Sequence, residues 1–192
     1  MKYTAEEKNE LFNEVAELMK IANIELRDTW DGYTGENYDD LEKNEGRSDG
    51  PKSIEIIQVE DGNARLETKR YQLDVFNSLS YEDSKILIPK RLANKVHPIV
   101  HEVVHFLQHN TIELDDSYKC LKSETKEDFK KFVDQPSEQE AHFVQLLYIN
   151  KYELNIQDEK LTSEFKQRLD DALKDKTKRT DLIVYAKENQ IL

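Results

Sequence analysis

The 192-residue chain holds a single cysteine, Cys120, so no disulfide can form within it and a reducing compartment, the cytoplasm, is the expected setting. Long apolar runs are missing as well. None approaches the ~20 residues needed to span a bilayer, and the opening MKYTAEEKNELF has no apolar stretch like that of a secretory signal. No membrane role is expected. Basic residues are the minority, 28 Lys and Arg against 40 Asp and Glu for a net charge of −12. That balance argues against a nonspecific nucleic-acid binder, because phosphate contacts need basic patches. Glycine is scarce, and four of the five lie between Asp28 and Ser53, so that segment reads as mostly loop. Its Trp30, Tyr33 and Tyr38 either pack back on the domain or line a cleft.

What is present is enough for one domain, residues 1–192. An amphipathic helix is expected over residues 4–24, where Leu11, Val15, Leu18 and Ala22 recur at helical spacing; Thr4 and Glu7 suit a capping box. A small antiparallel sheet is expected over about residues 53–89. SIEIIQVE and ARLETKRYQLDVF read as a hairpin with Asp61-Gly62 in the turn, and KILIP as a third strand stopped by Pro89. Past Pro89 the apolar period changes from two to 3.6. Helices then fill about residues 92–152, and a C-terminal helical segment with a break fills 161–190. The fold class is α+β.

Four of the five histidines fall in one window, HPIVHEVVHFLQH, at every fourth position: His97, His101, His105 and His109. At about 100° per residue they form one stripe, while Val100, Val103, Val104 and Leu107 cluster on the opposite face. The stripe drifts by about a third of a turn, so the four rings cannot share one ion, but neighbours at i,i+4 can. Only one neighbouring pair encloses an acid, His101-Glu102-Val103-Val104-His105. This is H-E-x-x-H, in which two imidazoles bind zinc while the glutamate serves as general base toward the water that the metal activates. Pro98 suits the first helical turn, so His97 lies at the helix start. His97 and His109 are read as solvated or as supporting neighbours.

Catalytic zinc usually takes three protein ligands. KILIPKRLANKVHPIVHEVVHFLQH, a short strand leading into an H-E-x-x-H helix, resembles the zincin metallopeptidases over about residues 85–150. The metzincin branch is excluded, because Gln108 stands where its glycine belongs and Thr111 where its third histidine belongs. The gluzincin branch takes a glutamate from a downstream helix in an E-x-x-A setting. QPSEQEAHF offers Glu138 and Ala141, with His142 where that branch more often has Asp, Asn or Glu. Glu140 competes, though about 200° away around the helix; an aspzincin-like site would instead use Asp115 or Asp116 near Tyr118.

The resemblance implies hydrolysis of a peptide or protein substrate, with His101, His105 and Glu138 on zinc and Glu102 moving the proton. A second donor to the oxyanion is expected from His142 or Tyr148, with Tyr118 and Tyr152 as alternatives. The strand Lys85–Pro89 is a candidate for pairing with an extended substrate. Two other readings stand beside this one: a zincin-like binding or regulatory module with structural metal and little turnover, and a metal-free helical interaction protein.

Overall fold

The computed structural model describes residues 3–26, 54–67, 71–73, 78–80, 85–108 and 125–192. The loop read between Asp28 and Ser53, with Trp30, Tyr33 and Tyr38, lies outside these residues, as do His109, Asp115, Asp116 and Tyr118. The architecture is α+β, dominated by helices around a small sheet.

Helix α1 (Ala5–Ile21) starts at the capping box expected of Thr4 and Glu7: the Thr4 hydroxyl accepts from Glu7 N–H at 3.1 Å and Glu7 accepts from Thr4 N–H at 2.7 Å. Five short strands follow among the described residues, β1 (Glu55–Val59), β2 (Arg65–Glu67), β3 (Tyr71–Leu73), β4 (Ser78–Ser80) and β5 (Lys85–Pro89). Then come α2 (His97–Gln108), α3 (Lys126–Val133) and α4 (Pro136–Tyr148). A π turn (Ile149–Glu153) closes α4, and α5 (Glu159–Lys174) and α6 (Arg179–Glu188) complete the chain.

The sheet departs from expectation. It is mixed, with order β1-β5-β2: β5 runs parallel to β1 and antiparallel to β2. The segments flanking Asp61-Gly62 are therefore not paired with each other, because β5 inserts between them. Their connection must cross two strand spacings, roughly 10 Å, too wide for a tight hairpin turn. Gly62 still takes a positive φ of 104°, a conformation favouring glycine, and the Arg91 guanidinium holds its carbonyl at 2.7 Å. β5 is central because its side chains are apolar without alternation, Ile86, Leu87 and Ile88 all being buried. Both backbone edges of Lys85–Leu87 are engaged, which leaves no free edge there for an extended substrate. A separate antiparallel pair joins β3 to β4.

The core lies between the sheet and the helices α1, α2, α4 and α6. Val100, Val103, Val104 and Leu107 are fully buried, as the apolar face opposite the histidine stripe requires, and Phe106 packs edge-on with Phe12 from α1 at 5.6 Å. Burying four such side chains contributes about 1.5–3 kcal/mol each, which fixes the rotation of α2 and aims its histidine stripe at α4. Two polar ties set the frame. Val96 N–H donates to Glu153 in the π turn at 2.9 Å, satisfying a donor at the start of α2. Buried Arg179 stacks on Phe143 at 4.2 Å and donates to the Ala22 carbonyl at the end of α1.

Candidate metal centre

Helices α2 and α4 run side by side in opposite directions, with polar groups along their seam. His101 and His105, one helical turn apart, bring their Nε2 atoms to 3.0 Å, with the rings near-perpendicular at 83°. Glu138, in the first turn of α4, faces both: Oε2 lies 3.3 Å from His101 Nε2 and Oε1 lies 3.5 Å from His105 Nε2. Pro136 in the first turn suits the start of α4 there, placing Glu138 at that level of the seam.

Two neutral imidazole nitrogens at this distance direct lone pairs at one another unless a proton or a cation lies between them. A tetrahedral ion with bonds of 2.0–2.1 Å would separate its ligand atoms by about 3.3 Å. The nitrogens are 3.0 Å apart and each lies 3.3 or 3.5 Å from its own Glu138 oxygen, pairwise spacings close to that value, and two imidazoles with one carboxylate are donors that zinc accepts. His101 Nδ1 is buried with no hydrogen-bond partner among the described residues.

The electrostatics follow from this packing. Burial alone would raise the Glu138 pKa, but hydrogen bonds and charge from His101 and His105 outweigh it and hold the carboxyl ionised well below the usual range. At His105, burial opposes the protonated ring, yet Glu138 and then the charge of Glu102 raise its pKa. Glu102 itself is buried and close enough to act on His105. The cluster is not sealed: the side chains of His101 and His105 keep 12% and 19% of their exposure, against 4% for Glu138. Solvent can thus reach the imidazole side.

The other candidates fall elsewhere. Glu140 accepts from Gln108 Nε2 at 2.7 Å rather than facing the rings as Glu138 does, and burial raises its pKa. Tyr148 lies ten residues beyond Glu138, about 15 Å along the helix axis. There it stacks near Tyr152 at 4.9 Å, and burial, Glu153 and Tyr152 push its pKa up to about 12. It is too far along α4 to serve an oxyanion at Glu138, and Tyr152 is exposed. His142 does belong to the cluster, its ring 4.3 Å from that of His101.

His97 is not solvated. It is 6% exposed, and its Nδ1 lies 2.7 Å from Gln145 Nε2, whose Oε1 contacts His142 Nδ1 at 3.0 Å. Burial lowers the His97 pKa to about 4, with Lys95 and His101 adding to the effect; burial, then the charge of His101, lowers that of His142 to about 3. Gln145 carried no signal of its own in the sequence. Only its i,i+3 spacing from His142 on an apolar-periodic helix marks it.

No protein-family model, curated protein or solved structure matches this chain. No helix among the described residues is long and apolar enough to cross a membrane.

Proposed function

We propose that this chain is a zinc-dependent peptidase of zincin-like design, acting on a peptide or protein substrate in the cytoplasm. One observation carries the reading: the two H-E-x-x-H nitrogens lie 3.0 Å apart and each faces its own oxygen of the Glu138 carboxylate, at 3.3 and 3.5 Å, with the buried acid Glu102 next in the chain to His101. His101, His105 and Glu138 would hold the ion. A zinc ion there supplies Lewis acidity, making water easier to deprotonate and a carbonyl easier to attack. Glu102 accepts the proton of the attacking water and delivers it to the departing amine. Glu138, kept ionised by the imidazoles, offsets part of the cation's charge and orients both rings.

The test is Glu102→Gln in the purified full-length chain, read by bound zinc and by cleavage of casein or a peptide library. Metal content should stay at the wild-type level while hydrolysis falls on the order of 10²–10⁴-fold, the usual contribution of a positioned acid–base group. Cleavage at the wild-type rate in this variant would remove Glu102 from the chemistry. A second reading, a binding or regulatory module with a structural metal, is favoured by His142: one ligand atom each from His101, Glu138 and His142 lies within 4.8 Å of the others. Tight zinc binding with no cleavage across broad libraries would select it.

A further inference from the structure

His142 stands one turn after Glu138 on α4, so both side chains leave the helix on the same side. Its ring is tilted 56° against His101 at 4.3 Å and boxed in by the edges of Phe129 and Phe132 at 5.9 and 6.2 Å. One ligand atom of His142 lies within 4.8 Å of one from His101 and one from Glu138, a group that does not include His105, whose Nε2 adjoins that of His101 at 3.0 Å. Its Nδ1 contacts Gln145 Oε1 at 3.0 Å. An amide oxygen only accepts, so Nδ1 carries the proton and Nε2 keeps its lone pair. The donating end of the same amide reaches Nδ1 of buried His97 at 2.7 Å. Because an amide has one accepting and one donating end, the tautomers of the two rings are locked to each other. A neutral ring in this tautomer offers a metal ligand. It offers no hydrogen bond to an oxyanion.

We infer, on the basis of the metal-centre reading, that His142 is a fourth protein ligand to the same ion, held in its ligating tautomer by the His97–Gln145 chain. Three imidazoles and a carboxylate fill a tetrahedral shell, the arrangement of closed sites rather than open ones. The centre therefore rests in a latent state, and hydrolysis requires His142 to give up its position.

Cobalt(II) tests this in the full-length chain, read by visible absorption, by competition with a chelator and by response to added azide. The wild type should give an intense four-coordinate spectrum that azide leaves unchanged. His142→Ala should bind cobalt at least about tenfold more weakly, respond to azide, and turn over more peptide per bound metal. Where His142→Ala fails to fold, the Gln145 pair decides. Gln145→Leu frees the tautomer and should weaken cobalt about 10–100-fold, the range for outer hydrogen-bond partners. Gln145→Glu, whose oxygens both accept, should retain the wild-type affinity. An azide-sensitive wild type, unchanged affinity in His142→Ala, equal behaviour of the two Gln145 variants, or turnover that falls without His142 would each overturn the inference. His101→Ala separates this failure from a larger one: it should lose cobalt in any case, and cobalt retained there sinks the metal centre and the fourth ligand together.

Discussion

Glu138 and Glu140 sit two residues apart on α4, and both reach toward α2, yet their surroundings drive them in opposite directions. Glu138 meets two imidazoles, and their hydrogen bonds and charge outweigh its burial and hold it ionised. Glu140, about 200° around the helix, meets the neutral amide of Gln108. There burial dominates over that bond and the more distant Arg179 and Lys176, and the pKa rises. Helix and residue type are shared, and Glu138 is the more buried of the two, so the partner rather than the depth of burial sets the opposite directions. A carboxylate given two ionisable donors is prepared to share a cation with them. One given an amide is an ordinary half-buried acid tying two helices together.

Metal affinity is where this contrast should be largest. Glu138→Gln should weaken zinc by about a thousandfold, ~4 kcal/mol, more than the 10–100-fold that outer hydrogen-bond partners typically cost. Glu140→Gln should stay within about threefold of wild type, or ~0.7 kcal/mol. Competition with a chromophoric chelator measures both. Equal losses would mean that the seam responds to any missing charge, and a reversed order would move the ligand by two residues.

The sequence discloses Glu138 and Glu140 as candidates but not which one faces the rings. The motif fixes His101 and His105 because i,i+4 geometry is local, and the valine face of α2 is legible for the same reason. The helices expected over about residues 92–152 are there as α2, α3 and α4, and the expected break in the last helical segment falls at residues 175–178, between α5 and α6. Strand existence was also legible; strand order was not. Pairing β1 with β5 across 25 or more residues is a non-local event, and the only local hint is the unbroken apolar run of KILIP, which marks a central strand. His97 shows the same limit. It is buried, and its partner there is Gln145, 48 residues away, which no period in the HPIVH stretch could announce.

His97 extends the comparison to a ring kept neutral. Its folded pKa of about 4 lies below the ordinary 6.5, so between those values the unfolded chain binds more protons than the folded one. Its contribution is complete above about pH 6.5 and is lost as pH falls toward 4, on the order of 3 kcal/mol. Urea unfolding of the metal-free chain at pH 7.5, 6 and 4.5 should show that loss, and His97→Gln should reduce it. An identical pH dependence in the variant would mean that the acid sensitivity arises elsewhere.

The smallest effect is also the most direct test of the two glutamates, since it needs no metal. Glu138 has a lowered folded pKa, so the unfolded chain takes up its proton first as pH falls. Its stabilisation is complete above about pH 4.5 and is lost progressively as the pH falls from there toward the much lower folded value. Glu140 has a raised folded pKa, so the folded chain holds its proton longer. Its contribution is present at low pH and is lost as pH rises through that raised value. In the metal-free protein, Glu138→Gln should therefore cost stability near neutrality and flatten the acid side of the unfolding profile. Glu140→Gln should do the reverse, with its best stability relative to wild type near neutrality. Thermal unfolding of both variants between pH 3.5 and 7 reads the sign of each difference. If the two difference curves slope the same way, burial rather than the partner sets these carboxyl groups, and the contrast between the imidazole pair and the amide fails.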